Sequence, residues 1–450
     1  MCLTGGSGEH RRSALGLLAF IVFFAISIAA GAASNYPLKV SADGRYLVDQ
    51  DGVPFLLVGD SPWSLIVGMT KSEVEWYLAD RKSRGFNAIL VNLIDTIVGP
   101  ANREGVRPFR IAGNFSTPNE AYFSHVDWVI RKAAENDIVV LLAPVYLGYK
   151  CGNQGWCRQM RDNGPHRLRK FGRYLGRRYR QFSNIVWVEG GDASAGDGGV
   201  AAELRALVKG IRERDKVHLH TAHCSRQRSA LDCYDEPWLD LNATYSDCAQ
   251  TPYRLSLDYR RRHLMPFIYL EGVYENEGAD PRCLRSQAYW SILGGAAGHV
   301  FGNGPIWRAA RGWMDILDSP GARSMSRAAA FFRTRPWHLL VPDEEHRVVV
   351  SGVGDLRDGT YAATARATDG STVLVYLPTA RRITVDMAGI SGDVVRAWWF
   401  NPASGDSTVI GKFPAYGKRA FSPPLPGDWV LVLENDAGGT APPGRSSITR

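Results

Sequence analysis

The sequence predicts an α/β protein, a (β/α)8 TIM barrel followed by a small antiparallel β-sandwich. Strand-like and helix-like segments alternate from about residue 55, and several of the strands are continuous apolar runs. Such runs are typical of parallel strands that are buried on both faces. From residue 347 the pattern changes to short β-rich segments separated by turn residues, which indicates a sandwich. The 450 residues are enough for both domains.

Eight barrel strands are predicted, and they are Phe55–Gly59, Ala88–Leu93, Ile138–Val145, Ile185–Val188, Val217–Thr221, Leu239–Tyr245, Phe267–Leu270 and Gly298–Phe301. The helical segments between them include Lys71–Arg84, Asn119–Asn136, Pro165–Gln181, Val200–Arg214, Pro252–Arg262 and Arg282–Leu293. An open doubly wound sheet would give the same alternation. No glycine-rich phosphate-binding sequence follows the first strand, which disfavours that fold.

The N-terminus is predicted to be a signal peptide that spans residues 1–33. Basic residues at positions 10–12 precede an apolar run from Ala14 to Ala30, and small residues follow up to Ala33. The mature chain is therefore expected to be secreted or periplasmic, with no membrane contact after cleavage. The run is near the lower limit for crossing a bilayer, so an uncleaved anchor stays open as an alternative.

The remaining chain divides into a barrel over residues 34–340, a sandwich over 341–435 and a disordered tail over 436–450, which is rich in Gly, Pro and Ser. Six cysteines follow the predicted signal, an even number that suits disulfides in an exported protein. Cys151 and Cys157 could close a small ring. One arrangement of the other four pairs Cys224 with Cys233 and Cys248 with Cys283. The cysteines are too scattered for a zinc site, and no cofactor is expected.

The net charge of +8 comes mostly from arginines, many of them in segments 158–180 and 254–263. This balance would suit an acidic polymer as a partner. However, the two segments are predicted to form helix surfaces, and they contain no nucleic-acid-binding motif. Solvated helix faces therefore explain the charge, and no nucleic-acid partner is expected.

Polar and aromatic side chains follow the predicted strands, at the end where a barrel carries its active site. They are Asp60, Trp63, Asn92, Tyr146, Asp192, His223, Tyr245, Glu271, Tyr274 and Trp307. Cleavage of a glycosidic bond needs one carboxylic acid to protonate the leaving oxygen and a second carboxylate to attack or to activate water. Aromatic side chains hold the sugar. The set therefore predicts a hydrolase of poly- or oligosaccharides.

Asp192 and Glu271 are the expected catalytic pair, and the other eight residues are expected to bind substrate. The two carboxylates end strands four and seven, which lie across the barrel mouth from one another. A gap of about 5 Å between them would give a retaining mechanism, and one of about 6.5–9.5 Å an inverting mechanism. Three alternatives stay open. Asp192 could simply cap a helix, Glu189 could be the acid if it faces inward, and Glu275 could be the nucleophile.

Seven short sequences carry a resemblance to a known family. They are Leu57-Val58-Gly59-Asp60 with Trp63, Arg84-Gly85-Phe86-Asn87, Asn184-Ile185-Val186-Trp187 before Gly190-Gly191-Asp192, Leu270-Glu271 with Tyr274-Glu275, Gly294-Gly295-Ala296-Ala297-Gly298-His299, Ala397-Trp398-Trp399-Phe400-Asn401-Pro402 and Gly427-Asp428-Trp429-Val430-Leu431. With these sequences in this order, the chain resembles the apiosidase-like glycoside hydrolases from about Pro37 to Leu433. In that family a domain labelled as collagen-binding follows the barrel.

The resemblance implies that Asp192 acts as acid/base and Glu271 as nucleophile, in release of apiose-containing units from a branched pectin. The chain departs from the family around this site, since Gly272 follows Glu271 where a proline is associated with the family. Glu189 stands where a neutral residue is usual. Two alternatives therefore stay open, a hydrolase of another plant or bacterial glycan and a secreted glycan- or matrix-binding protein with an inactive barrel.

Overall fold

The computed structural model describes residues 34–263, 265–438 and 441–444. The predicted signal peptide lies outside these residues. The chain begins with a three-stranded antiparallel sheet, made of β1 (Lys39–Val40), β2 (Leu47–Val48) and β3 (Pro54–Phe55). Turns at Asp43-Gly44 and Asp51-Gly52 connect these strands, and both glycines have positive φ angles.

A nine-stranded sheet forms the barrel. In chain order its strands are β4 (Leu57–Asp60), β5 (Ala88–Asn92), β6 (Val139–Ala143), β7 (Ile185–Gly190), β8 (His220–His223), β9 (Arg228–Ser229), β10 (Asn242–Tyr245), β11 (Phe267–Glu271) and β12 (Gly298–Phe301). Hydrogen bonds join them in the order β8-β7-β6-β5-β4-β12-β11-β10-β9. All pairs are parallel except β9 with β10, and β8 contacts β10 so that the barrel nearly closes. The predicted barrel is confirmed.

Ten α-helices accompany the sheets in the described part of the chain. They are α1 (Leu65–Gly68), α2 (Lys71–Ser83), α3 (Glu120–Glu135), α4 (Cys157–Tyr179), α5 (Ala201–Arg212), α6 (Ala230–Cys233), α7 (Thr251–Arg260), α8 (Pro281–Leu293), α9 (Gly304–Trp307) and α10 (Pro320–Arg333). The predicted helices match α2, α3, α5, α7 and α8 to within two residues at either end. Helix α4 starts eight residues before the predicted Pro165, because it continues across a kink at Gly164.

Two barrel strands begin three residues later than predicted. Strand β10 begins at Asn242 instead of Leu239, and strand β8 begins at His220 instead of Val217. The side chain of Asp215 accepts hydrogen bonds from the backbone N–H groups of Val217 and His218, at 3.0 and 3.3 Å. These bonds hold the two residues in a turn, so the strand starts later. Local side-chain bonding of this kind competes with sheet formation.

Two antiparallel sheets follow the barrel. Strands β13 (Leu340–Pro342), β15 (Ala363–Ala367), β16 (Thr372–Leu377), β18 (Val394–Phe400), β19 (Ser407–Pro414) and β21 (Trp429–Asn435) form the larger one, and β14 (Val349–Ser351), β17 (Ile383–Asp386) and β20 (Lys418–Phe421) form the smaller one. Val373 and Val375 of β16 share a core with the smaller sheet, whereas Leu374 and Tyr376 pack against α8 and α10. The larger sheet therefore buries both faces, and the predicted sandwich is confirmed.

A buried ion pair joins the barrel to the larger sheet. The Arg285 guanidinium of α8 donates two hydrogen bonds of 2.7 Å to the carboxylate of Asp428, just before β21. Tyr376 donates a third, at 3.2 Å. These groups are almost inaccessible to water, so neither charge has a solvent alternative. Residues 436–438 form a short 3₁₀ helix in which Asp436 pairs with Arg396, and residues 439, 440 and 445–450 of the predicted disordered tail lie outside the described residues.

Three disulfides join Cys151 to Cys157, Cys224 to Cys233 and Cys248 to Cys283, which is the arrangement considered from the sequence. The first closes a loop at the barrel mouth, between β6 and α4. Across residues 34–263, 265–438 and 441–444, no helix is long and apolar enough to cross a membrane.

We expect Arg285→Met to lower the free energy of unfolding by about 3–5 kcal/mol, because it leaves the Asp428 carboxylate buried without its cation. Urea unfolding at neutral pH measures the change. Arg347→Met is the matched control, since Arg347 forms an exposed ion pair with Glu345 and should change stability by no more than about 0.5 kcal/mol. Equal stability of the two variants would contradict a structural role for the buried pair.

Candidate active site

The carboxyl ends of the eight parallel strands meet at one end of the barrel, and the predicted residues gather there. Asn92, His223, Tyr245 and Glu271 are the last residues of their strands. The other six lie at a strand end or in the segments that follow, at positions Asp60, Trp63, Tyr146, Asp192, Tyr274 and Trp307. The closure of the parallel strands into a barrel thus brings together residues that are more than two hundred positions apart in sequence.

Seven of the ten predicted residues line one open cavity of about 720 Å³ at this mouth. They are Trp63, Tyr146, Asp192, Tyr245, Glu271, Tyr274 and Trp307. These seven residues combine the two expected catalytic carboxylates with five aromatic side chains. Such a mixture of flat apolar surface and acceptor oxygens suits carbohydrate, whose rings present both C–H faces and hydroxyl groups.

Two glycines bring Asp192 into the cavity. Gly190 has a φ of +80°, and a side chain there would collide with the Tyr234 hydroxyl and the His223 carbonyl. A side chain at Gly191 would meet the backbone N–H of Leu147. The chain therefore turns sharply after β7, and the Lys150 N–H donates to the Asp192 carbonyl at 3.1 Å. The loop after β6 fixes the backbone that carries the carboxylate.

The two carboxylates of the cavity interact electrostatically. Burial raises the pKa of Asp192, and the negative charge of Glu271 raises it further, to about 6, although His223 and Arg226 oppose the shift. Near pH 6 about half of the Asp192 carboxyl groups therefore keep their proton, and at pH 7 about a tenth do. A carboxylic acid in this pKa range is able to donate a proton to a leaving group.

His223 holds Glu271 from behind. Its Nε2 donates a hydrogen bond to Glu271 Oε2, and the His223 side chain is almost completely buried. Burial by itself lowers the pKa of His223, but the charge of Glu271 and the hydrogen bond to it outweigh burial, so the pKa is raised. His223 thus fixes the orientation of the Glu271 carboxylate. It does not line the cavity, so we assign it to positioning Glu271, and its predicted contact with substrate stays a prediction.

Three aromatic side chains, Trp63, Tyr146 and Tyr274, form an aromatic wall beside the carboxylates. The Trp63 ring lies 5.2 Å from Tyr146 and 5.5 Å from His223, measured between ring centroids. Its indole N–H donates to the Tyr274 hydroxyl at 2.8 Å. Burial and then the charges of Asp192 and Glu271 raise the pKa of Tyr146 well above its usual range. Its hydroxyl therefore stays protonated and available as a hydrogen-bond donor.

Asp60 and Asn92 lie beneath the cavity and do not line it. Asp60 is fully buried and accepts a hydrogen bond of 2.6 Å from Tyr77, while Arg81 lies 3.5 Å away. These contacts tie β4 to α2, and the predicted role of Asp60 in substrate binding stays a prediction. Asn92 is also buried, with its backbone N–H bonded to the Trp63 carbonyl. Both residues support the Trp63 segment from below.

The three alternatives left open by the sequence are answered by contacts. Helix α5 begins at Ala201 with Val200 as its N-cap, so Asp192 caps no helix there. Glu189 is completely buried on the same side of β7 as Trp187 and pairs with His220, at 3.2 Å. Glu275 accepts hydrogen bonds from Asn303, Ser319 and the backbone of Gly321, at the start of α10. Neither glutamate lines the cavity.

Three polar residues of the cavity were missed from the sequence. Arg226 donates to the Tyr245 hydroxyl at 3.2 Å and lies 3.1 Å from Asp247. Glu277 accepts a hydrogen bond of 2.8 Å from the Trp307 indole, and Gln154 lies on the disulfide-closed loop. All three come from segments beyond the strand ends. Only the proximity of Arg226 to the end of β8 was a signal that could have indicated it.

The comparisons with known proteins agree with this geometry. The family model described as the apiosidase-like catalytic domain matches residues 41–338, and the model of a collagen-binding domain of a collagenase matches 341–434. No curated protein matches the chain. A solved glycoside hydrolase is 25% identical with a TM-score of 0.79, and the match covers 90% of this chain and 97% of that one. A family 5 glycoside hydrolase from Bacteroides vulgatus is 25% identical with a TM-score of 0.78, over 89% of this chain and 94% of that one.

The family model covers more than half of the chain, and both solved relatives share the barrel and the sandwich over nearly their full length. The cavity at the barrel mouth carries the paired carboxylates and the aromatic wall that hydrolysis of a glycosidic bond requires. The chain belongs to the apiosidase-like family and is a glycoside hydrolase.

Proposed function

We propose that this enzyme is a secreted, retaining glycoside hydrolase in which Asp192 is the acid/base and Glu271 the nucleophile. The observation that carries the proposal is the unequal environment of two carboxylates in one cavity. Burial and the charge of Glu271 raise the pKa of Asp192 to about 6, whereas His223 donates a hydrogen bond to Glu271. One group is suited to carry a proton and the other to attack as an anion.

In the first step the Glu271 carboxylate attacks the anomeric carbon of the bound sugar. The bond from that carbon to the glycosidic oxygen breaks, and Asp192 gives its proton to the departing oxygen. The products are a glycosyl ester on Glu271 and a free hydroxyl on the leaving sugar. The hydrogen bond from His223 to Oε2 orients the carboxylate, so that Oε1 is the oxygen expected to attack.

In the second step Asp192, now ionised, removes a proton from a water molecule. The water oxygen attacks the same anomeric carbon, the ester bond to Glu271 breaks, and Asp192 is protonated again. Two displacements at one carbon restore its original configuration. The negative charge on Glu271 then returns, which again favours the protonated form of Asp192.

We propose pectic side chains that contain apiose as the substrate class, following the family to which the chain belongs. Arg226 supports an acidic polymer, because its guanidinium lines the cavity and its side chain is about half exposed. Pectins carry carboxylate groups that such a cation attracts. Three disulfides fit an extracellular protein, and the predicted signal peptide completes the proposal of secretion.

Single substitutions of the two carboxylates should abolish turnover and leave the fold intact. We expect Asp192→Gly and Glu271→Gly each to lower kcat on a pectic polysaccharide by about a thousandfold or more. Release of reducing sugar measures the loss. On an aryl glycoside whose phenolate leaves without acid catalysis, added azide should restore cleavage in both variants, with the substrate's configuration retained in the glycosyl azide from Asp192→Gly and inverted in that from Glu271→Gly. Glu189→Gln is the control and should stay within about tenfold of the wild type. A reversed pattern of configurations would exchange the two roles.

The configuration of the first product tests the retaining mechanism directly. Proton NMR of the reaction in its first minutes should show the released sugar with the same anomeric configuration as the substrate, before mutarotation mixes the two forms. The opposite configuration would mean that Glu271 activates water instead of attacking carbon, and would overturn its assignment as nucleophile.

The pH dependence follows from the protonation of Asp192. We expect kcat/KM to fall about tenfold per pH unit above about pH 6, because the step that breaks the glycosidic bond needs the proton on Asp192. Glu271→Gln removes the neighbouring charge and should lower the pKa of Asp192, which carbon-13 NMR of the labelled carboxyl group measures in the inactive protein. An unchanged pKa in this variant would contradict the electrostatic coupling.

A further inference from the structure

A second cavity opens beside the first at the barrel mouth. It has a volume of about 650 Å³ and is lined by residues that include Asp95, Thr96, Arg107, Phe109, Trp156 and Gln159. The same two loops border both cavities. Ile97 and Gln154 line the first, while the neighbouring Thr96 and Trp156 line the second. The two cavities are therefore consecutive along the surface that faces the paired carboxylates.

Asp95 is the polar centre of the second cavity. It is only 3% exposed, and its Oδ1 accepts a hydrogen bond of 2.6 Å from the Ile97 backbone. Burial raises its pKa, although hydrogen bonding from the Ser64 hydroxyl and from the backbone of Ile97 and Thr96 opposes this. Among the described residues no donor makes a hydrogen bond of good geometry to Oδ2. A carboxylate oxygen has two lone pairs, so Oδ2 can accept a further donor beside Ser64.

Two further acceptors border the same space. Within the described part of the chain, Gln159 Oε1 and Thr96 Oγ1 are buried and likewise lack hydrogen-bond partners. Phe109 and Trp156, whose ring centroids lie 5.9 Å apart, supply an apolar side. Arg107 stands exposed at the rim. The cavity thus offers several acceptors against aromatic surface, which is the complement of a ring that carries hydroxyl donors and apolar C–H groups.

The loop between the cavities is held rigidly. The Cys151–Cys157 disulfide closes it, and the backbone N–H of Trp156 donates a hydrogen bond of 2.9 Å to the Tyr146 carbonyl. Asp95 is close enough to the first cavity that its charge is one of the causes that raise the pKa of Tyr146. A chain bound at the carboxylate pair would therefore meet the second cavity in a fixed position, with little loop ordering needed on binding.

We propose that the second cavity is a further subsite, which binds another sugar residue of the same substrate chain through hydroxyl donors to Asp95 and Gln159. This inference rests on the proposed function, because it needs a polysaccharide bound across the first cavity. A sugar hydroxyl that donates to Asp95 Oδ2 and a second that donates to Gln159 Oε1 would satisfy the two buried acceptors. The subsite makes the enzyme prefer substrates that extend beyond the cleaved bond.

The test compares pectin oligosaccharides that have been separated by length. Wild-type kcat/KM should increase at the length at which the chain first reaches the second cavity. Asp95→Asn and Gln159→Met should each lose about tenfold in kcat/KM on chains of that length or more, as expected for one lost hydrogen bond to a ligand. The shortest substrate that is cleaved should react as it does with the wild type. Glu104→Gln is the matched control, because it removes an exposed carboxylate from the same loop, where Glu104 pairs with Lys71.

Calorimetric binding of the same oligosaccharides to the Glu271→Gln protein separates the two proposals. The gain in affinity with length should disappear when Asp95→Asn is combined with Glu271→Gln. An equal loss on short and long chains in both subsite variants, or no loss in either, would overturn the subsite. If the Asp95→Asn variant does not fold, the Gln159→Met variant provides the test. Full activity of Glu271→Gln, in contrast, would overturn the proposed mechanism, while the effect of length on affinity would still report on the subsite.

Discussion

The repulsion between Asp192 and Glu271 is the constraint on which this active site depends. Two partly buried carboxylates in one cavity do not ionise independently, because each charge makes the other more costly. The barrel resolves this by giving the two groups different partners. Glu271 receives a hydrogen bond from buried His223, while among the described residues Asp192 Oδ1 has no partner and its pKa rises to about 6. The site is thereby prepared with one proton for two carboxylates.

This arrangement lowers stability at neutral pH. A raised pKa means that the folded chain prefers the protonated form of Asp192, so this preference stabilises the fold fully below about pH 4 and is lost as the pH rises through about 6. The change from 3.8 to about 6 corresponds to at most about 3 kcal/mol. The scaffold offsets it elsewhere, since the apolar core of the barrel continues through α8 and α10 into the larger sheet.

The sequence indicated the barrel because parallel strands buried on both faces must be continuous apolar runs. It also indicated which residues stand at the strand ends, since a side chain that follows such a run reaches the mouth. It did not indicate how deeply each of these residues lies relative to the cavity. Asp60 and Trp63 belong to one segment, yet Asp60 pairs with Arg81 below the cavity while Trp63 lines it. Nor did it indicate Arg226, which comes from a loop whose path is set by β9 and a disulfide, not by periodicity.

The same reasoning limits what the C-terminal domain does. A sheet that offers a flat face to a partner must leave that face uncovered, but the larger sheet packs one face on α8 and α10 and the other on the smaller sheet. The aromatic side chains of β18 divide between these two cores, with Trp398 and Phe400 toward the barrel and Trp399 toward the smaller sheet. The Arg285–Asp428 pair fastens the first of these contacts. One face of the larger sheet therefore supports the barrel helices α8 and α10, and the other supports the smaller sheet.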